Sequence, residues 1–315
     1  MSPDLLITAV LVGVAAIGVG HVIAWWWLER RNAKASGDTA DREHLRPRPW
    51  DYAIGFIANF FDTLGVGSFA TTTAAYRLRG LVPDEQIPGT LNVGHAMPTV
   101  AQALIFIAAV TIDPRTLIGM ILAAVAGAVV GARVVTGLPR RAVQLGMGMA
   151  LLVAAALFLL TIFGLVPGGG DAIALEGSRF WIGVTANFAL GALMTLGIGL
   201  YGPCLILVSL LGMSPIAAFP IMMGSCAFLM PAGSLRFVAR RRYSARAAIG
   251  LAIGGIPAVL IAAYVVKSLP LDWLRWLVVI VVVYTAFGLL RSAAAETGNE
   301  KGKRGQSPKG GQSPI

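Results

Sequence analysis

Residues 55–69 read GFIANFFDTLGVGSF, and this stretch governs how the rest of the chain is interpreted. It is apolar enough for a membrane, yet it carries an asparagine, an aspartate, a threonine, a serine and spaced glycines. A polar group in hydrocarbon is costly unless it finds a partner. The stretch therefore predicts either tight internal packing or a functional site inside a membrane.

The composition of the whole chain is that of a membrane protein. Its 315 residues are 57% hydrophobic and only 13% charged, whereas a soluble domain has about 25% charged residues. Apolar runs of about 20 residues, the length that spans a bilayer, recur along the sequence. We therefore expect an all-α polytopic membrane protein.

The positions of the charged residues and of the potential metal ligands exclude some classes of function. The net charge is +10, but the basic residues lie between apolar runs and at the C-terminus, which is typical of membrane topology and not of nucleic-acid binding. Two cysteines and three histidines are too scattered for a recognisable metal site. We expect no cofactor and no nucleic-acid partner.

The first apolar run, residues 5–27, predicts a retained transmembrane helix. It is longer than the apolar region of a signal peptide, which has about 7–15 residues. Three tryptophans at 25–27 are typical of an aromatic belt, and Arg30 and Arg31 indicate a cytoplasmic edge. The N-terminus is therefore expected outside.

An internal repeat organises the remainder. IGFIANF at 54–60 matches IGVTANF at 182–188, TLGVG at 63–67 matches TLGIG at 195–199, and residues 118–159 align without a gap with 249–290. The predicted segments are an N-terminal transmembrane helix (1–28), a charged cytoplasmic linker (29–50), a first transporter repeat (51–165), a connecting loop (166–179), a second transporter repeat (180–291) and a disordered cytoplasmic tail (292–315).

The topology of the repeats depends on whether each glycine-broken segment crosses the membrane or turns back. If both turn back, the two halves are inverted, and 20 Lys and Arg residues lie inside against 3 outside. If both cross, the halves are parallel and the numbers are 18 and 5. Because basic residues favour the cytoplasmic side, we expect inverted repeats with re-entrant openings and a cytoplasmic C-terminal tail.

Paired glycine-broken segments in matching positions of two halves are typical of a transporter binding site. A helix that restarts inside the membrane presents free N–H groups and a positive dipole end, which together suit an anion. The predicted substrate-binding residues are Asn59, Thr63, Gly65, Gly67, Ser68, Thr71, Asn92, Asn187, Thr195, Gly197, Gly199, Tyr201, Cys204 and Ser225.

Asp62 and His95 are the predicted proton-coupling residues. Ionisable groups within a membrane are rare and tend to be functional, and a bound anion should favour a protonated Asp62. The alternative for Asp62 is a structural N-cap of the second half-helix. Asn59, Asn187, His95 and the cysteines could likewise serve packing alone.

Several motifs together resemble the TauE/SafE sulfite exporter family, also called the 4-toluene sulfonate uptake permease family. They are Gly65-Val66-Gly67, Gly197-Ile198-Gly199, Gly89-Thr90-Leu91-Asn92, IGMILAAVAGAVVGARVVTGLP (118–139) and IGLAIGGIPAVLIAAYVVKSLP (249–270). The resemblance extends over about 52–291, although the family's full triple glycine is absent because Ser68 follows Gly67. It implies a permease for a small sulfur-containing anion, such as sulfite, thiosulfate or a sulfonate, in a bacterial inner membrane.

Other classes of protein remain open at this point. A channel would need the same polar break, and an intramembrane enzyme could use Asp62 and His95 as an acid–base pair. A scaffold has little reason to duplicate polar, glycine-broken segments. We expect a transporter and not an enzyme, because no nucleotide loop or metal motif is present. The expected partners are the anion and membrane lipids, with a homo-oligomer left open.

Overall fold

The computed structural model describes residues 2–35, 45–83, 85–134, 140–163, 165, 170–194, 200–268 and 270–305. Over these ranges the chain forms α-helices and no strand. The helices are α1 (Pro3–Ala35), α2 (Pro49–Thr63), α3 (Ser68–Arg79), α4 (Ile87–Ala109), α5 (Pro114–Val134), α6 (Arg140–Ile162), α7 (Gly177–Met194), α8 (Tyr201–Leu210), α9 (Ala218–Ala239), α10 (Ala245–Ser268) and α11 (Leu271–Gly305).

The helices confirm an all-α polytopic membrane protein. Within the described ranges, five helices are long and apolar enough to span a bilayer: α1, α4, α5, α9 and α10. Many of their outward-facing side chains are large and apolar, which is the pattern that lipid contact requires.

The first glycine-broken segment forms a re-entrant hairpin of α2 and α3. At 1.5 Å per residue these helices are about 22 and 18 Å long, shorter than the ~30 Å of hydrocarbon. Gly65 and Gly67, with φ of +96° and +86°, turn the chain between them. The Arg79 guanidinium at the end of α3 lies 3.8 Å from the ring centroid of Trp50 at the start of α2. Both ends of the hairpin therefore lie at one face of the molecule.

An ion pair fixes this hairpin at its base. The Asp51 carboxylate, which is buried, lies 3.5 Å from the Arg246 guanidinium at the start of α10. Arg246 also donates a 3.1 Å hydrogen bond to the Leu81 carbonyl. The base of the hairpin is thus tied to a helix of the other repeat.

Helices α7 and α8 form the corresponding hairpin in the second repeat. The Ser214 backbone N–H, just after α8, donates a 2.9 Å hydrogen bond to the Ala172 carbonyl, which precedes α7. Leu211 likewise packs beside Gly183 near the start of α7. The ends of this pair therefore also lie together, and its turn, 195–199, is outside the described residues.

The repeats are inverted, as predicted. Helix α4 corresponds to α9, and their contacts run in opposite directions: Phe106 stacks on Phe219 with centroids 5.1 Å apart, and the Thr99 hydroxyl donates to the Met230 sulfur at 3.6 Å. Rising residue numbers in one helix meet falling numbers in the other. Corresponding helices therefore run antiparallel.

The last helices of the two repeats, α6 and α11, give the same result. The rings of Phe163 and Trp276 lie 6.0 Å apart, whereas Gly148, earlier in α6, approaches Leu290, later in α11. This pair is also antiparallel, so the inversion extends over each repeat. The two hairpins consequently enter the molecule from opposite faces.

Each hairpin packs against a helix of the opposite repeat. Helix α2 runs parallel to α10, where a Cβ on Gly254 would lie 2.2 Å from the Tyr52 carbonyl oxygen. Helix α7 runs parallel to α5, where a Cβ on Gly127 would lie 1.9 Å from the Phe188 carbonyl oxygen. Glycine is required at these positions because the two backbones are in contact.

Helix α1 lies against α4 and α9 and is fixed near its C-terminal end by hydrogen bonds. The Trp25 indole donates a 2.8 Å hydrogen bond to the Tyr243 hydroxyl, which itself donates to the Glu29 carboxylate. Burial raises the pKa of Tyr243, so its hydroxyl keeps the proton that it donates. At the other end, Asp4 borders a groove with Thr111 and so lies at the opposite face.

Two element boundaries differ from the prediction. Helix α1 continues to Ala35, into the predicted linker, and α11 continues to Gly305, into the predicted disordered tail. Both extensions contain good helix formers, such as Ala293–Ala295 in the tail, which carry a helix beyond its apolar span. The rest of the predicted linker, 36–44, and of the tail, 306–315, lies outside the described residues.

Candidate functional site

The tip of the first hairpin and the second repeat line a cavity of about 80 Å³. The first repeat contributes Asp62, Gly67, Ser68 and Thr99 to its wall. The second repeat contributes Met194, Tyr201, Cys226 and Met230. Both halves of the duplicated chain therefore meet at one small interior space.

Two helices begin at this cavity. Helix α3 starts at Ser68 and α8 starts at Tyr201, and neither N-cap residue makes a side-chain capping hydrogen bond. The first N–H groups of a helix have no partner within that helix, and its dipole is positive at this end. Both starts are therefore suited to a negative ligand.

Gln102 of α4 connects the two repeats beside the cavity. Its amide nitrogen donates 2.9 Å hydrogen bonds to the Asp62 carboxylate and to the Thr63 hydroxyl. The Tyr201 hydroxyl donates to its amide oxygen at 3.1 Å. Sequence reasoning missed Gln102, although its position fits one face of α4 with His95 and Thr99, at spacings of about one turn.

Asp62 is buried and uncompensated by a basic side chain. It is 3% exposed, and besides Gln102 it accepts hydrogen bonds from the hydroxyl and backbone N–H of Ser68. In the part of the chain that the structure describes, no Lys or Arg pairs with it. The contact with the Ser68 backbone makes Asp62 a bridge between the two arms of the hairpin, as the capping alternative requires, while its carboxylate still reaches the cavity.

His95 lies within the hairpin packing and not on the cavity wall. Its Nδ1 is 3.0 Å from the Asn59 amide oxygen, and its Nε2 is 3.0 Å from the Thr72 hydroxyl. The Asn59 amide nitrogen is occupied by the Gly55 carbonyl at 2.7 Å, so its oxygen faces His95 and accepts from Nδ1–H. A neutral imidazole then has both nitrogens satisfied, with Nε2 accepting from Thr72.

The remaining predicted residues of the first repeat are used locally. The Thr63 hydroxyl donates to the Asn59 carbonyl at 2.7 Å, and Thr71 donates to the Ser68 carbonyl at 2.8 Å. Asn92 donates to the Pro88 carbonyl at 2.9 Å, one turn back in its own helix. Gly65 belongs to the turn of the hairpin.

The predicted residues of the second repeat are divided among three places. Tyr201 reaches the cavity. Asn187 donates to the Met120 carbonyl of α5 at 2.7 Å, Ser225 donates to the Ile221 carbonyl at 2.7 Å, and Cys204 is fully buried in the core. Thr195, Gly197 and Gly199 lie outside the described residues.

Inverted helical repeats, each with a re-entrant hairpin, around one interior cavity define the protein as a membrane transporter of the permease type. The chain belongs to the TauE/SafE sulfite exporter family, because the family model described as "Sulfite exporter TauE/SafE" matches residues 1–159. The resemblance seen in the motifs is thereby confirmed, and the protein is a transporter and not an enzyme. The matched range contains α1 and most of the first repeat. No curated protein and no solved structure matches the chain.

Proposed function

We propose that the protein is a secondary permease that moves a small sulfur-containing anion, such as sulfite, thiosulfate, a sulfonate or a related organosulfur acid, through the cavity between the two repeats. The observation that carries the proposal is the cavity itself, which has walls from both repeats and is bordered by the starts of two helices. Its volume of about 80 Å³ equals roughly two to three water molecules. Such a space suits an ion of few heavy atoms.

Recognition of the anion relies on dipoles and hydroxyls. The described residues of the wall include no Lys or Arg. Backbone N–H groups at the starts of α3 and α8, with the Ser68 hydroxyl, supply the attraction. Because these groups carry only partial charges, the anion is held weakly enough to be released on either side.

Asp62 supplies the coupling to protons. An ionised carboxylate in this low-dielectric site repels an anion strongly. The anion therefore binds when Asp62 is protonated, and anion and proton cross together. Ser68 changes its role in this cycle: its hydroxyl donates to the ionised Asp62 and becomes available to the anion once Asp62 is neutral.

Alternating access follows from the packing of the hairpins. The hairpins enter from opposite faces, and each rests on a helix of the other repeat. A tilt of one repeat against the other opens the cavity first to one face and then to the other.

The arginine-rich face, with residues 77–81 and 240–246, is assigned to the cytoplasm by the positive-inside rule. This assignment places the N-terminus outside and the C-terminus inside, in the inner membrane of a bacterium. The partners are the anion and the surrounding lipids.

Uptake of labelled sulfite and thiosulfate into proteoliposomes tests the proposal. An acidic bath should accelerate entry, and preloaded unlabelled anion should stimulate exchange, which a channel would not show. The Asp62→Asn protein should exchange anion but lose the acceleration by acid, whereas exposed Glu85→Gln should behave like the wild type. An unchanged acid response in Asp62→Asn would refute the coupling, and absence of anion flux in the wild type would refute the permease.

A further inference from the structure

We infer that the cavity selects an anion with oxygens at one end and a soft, weakly hydrated sulfur at the other, as thiosulfate has, over an anion with oxygen on every side, such as sulfate. This inference rests on the proposed function and adds the basis of selectivity. It follows from the difference between the two helix starts at the cavity and the sulfur-containing side chains of α7 and α9 that face them across it.

The part of the second repeat's wall that comes from α7 and α9, here called the sulfur wall, consists of the sulfur-containing side chains of Met194, Cys226 and Met230. Cys226 and Met230 are one turn apart on α9 and therefore lie on the same side of that helix. The Cys226 sulfur is 3.9 Å from the sulfur of Met194, the last residue of α7. Three sulfur-containing residues from two different helices thus line a cavity of about 80 Å³.

This sulfur wall offers few hydrogen bonds to a ligand. A thioether has no hydrogen-bond donor, and a thiol is only a weak hydrogen-bond donor. The Thr99 hydroxyl is already directed to the Met230 sulfur at 3.6 Å, and the Thr285 hydroxyl donates to the Val281 carbonyl at 2.8 Å. The Tyr201 hydroxyl is directed to Gln102.

The wall from the first repeat is polar. It contains the start of α3, with Gly67 and Ser68, and the carboxyl group of Asp62. Among the described residues, the oxygens of an anion find donors here and at the start of α8, where Tyr201 and Gly202 border the cavity. A ligand is therefore oriented, with its oxygens toward the starts of α3 and α8 and its other end toward the sulfur side chains of α7 and α9.

Orientation creates selectivity because hydration differs between oxygen and sulfur. An anionic oxygen placed against the sulfur wall loses its bound water and gains no donor, which is costly. A terminal sulfur is less strongly hydrated and more polarizable, and it keeps favourable dispersion contacts with thioethers. We expect thiosulfate to be preferred over sulfate by about tenfold or more, the range that one unpaired buried polar group gives.

The test is competition between labelled thiosulfate and sulfate in proteoliposomes. Cys226→Ser places a hydroxyl donor on the sulfur wall with little change in volume, and Met230→Gln places an amide there. Each should lower the thiosulfate-to-sulfate ratio of uptake by about tenfold. The matched control is Cys204→Ser, because Cys204 is fully buried and is not among the residues that line the cavity, and its ratio should equal that of the wild type.

A second measurement does not depend on the folding of a cavity variant. In the Cys204→Ser protein, methyl methanethiosulfonate should label Cys226, and thiosulfate should slow that labelling at a concentration at which sulfate does not. Equal protection by both anions, or a ratio unchanged in both cavity variants, would overturn the inference and leave the permease intact. Absence of flux for every anion would instead overturn the proposed function.

Discussion

Replacing Gly127 of α5 by alanine should push the α7–α8 hairpin away from α5, against which α7 packs. The added Cβ would lie 1.9 Å from the Phe188 carbonyl oxygen and 2.7 Å from the carbonyl carbon. The obstacle is backbone and cannot rotate aside, so α5 and α7 must move apart by at least about 1 Å to restore an ordinary contact.

The expected cost is about 2 kcal/mol of folding free energy. Overpacking of this kind costs about 1–3 kcal/mol. The separation also weakens the 2.7 Å hydrogen bond from Asn187 to the Met120 carbonyl, which is worth about 0.6–2 kcal/mol in a membrane. The higher helix propensity of alanine offsets about 0.5–1 kcal/mol of this loss of folding free energy.

Thermal unfolding of the purified protein in detergent measures this loss, with Gly20→Ala of α1 as the control. A Cβ on Gly20 would meet nothing within 4 Å, so that variant should be as stable as the wild type or slightly more so. Transport by Gly127→Ala should fall as well, because Met194 at the end of the displaced α7 borders the cavity. If Gly127→Ala and Gly20→Ala were equally stable, the close backbone contact between α5 and α7 would be refuted, and with it the packing of the second hairpin against α5.

Three further substitutions test other contacts. Gln102→Leu should destabilise the protein by about 2–4 kcal/mol, because Asp62 and Tyr201 both lose a hydrogen-bond partner. Tyr201→Phe removes only one of these bonds and should cost about 1 kcal/mol. Denaturant unfolding of both variants would show whether Gln102 is the shared partner. Arg246→Ala should cost about 3–5 kcal/mol by leaving the buried Asp51 carboxylate unpaired, and the added change Asp51→Asn should restore part of the loss; no recovery in the double variant would argue against the pair. Trp25→Phe removes the donor to Tyr243 and should make α1 easier to cleave by protease near Ala35, with Trp181→Phe, an exposed tryptophan, as the unaffected comparison.

The organisation of the fold was largely predictable because it depends on signals that survive in a single sequence. The repeat of polar motifs gave the duplication, and the distribution of Lys and Arg gave the inversion and the re-entrant openings. The motif repeat is visible in short stretches of sequence, and the charge distribution is a sum over many loops. The ends of α1 and α11 were not predictable in the same way, because helix propensity continues after the apolar run stops.

The site was only partly predictable, because hydroxyl and amide groups can satisfy themselves locally. Thr71, Asn92 and Ser225 all donate to carbonyls of their own helix, and nothing in their sequence context distinguishes them from ligand-binding residues. Gln102 and Cys226, by contrast, gain their positions from packing between helices: Gln102 bonds to Asp62 of α2 and Tyr201 of α8, and Cys226 contacts Met194 of α7. That packing is a tertiary property, so the sequence could suggest the face of each helix but not what lies opposite.

Each hairpin packs against a helix of the other repeat, and this arrangement also sets an order of events during synthesis. The α2–α3 hairpin leaves the ribosome early, but α10, the helix that seats it, is translated nearly two hundred residues later. Until then Asn59 and Asp62 lack their final surroundings, and a chain that stops after α6 has no place for its own re-entrant arm. The two halves must therefore be made as one polypeptide, or brought together while still nascent, before either can be completed.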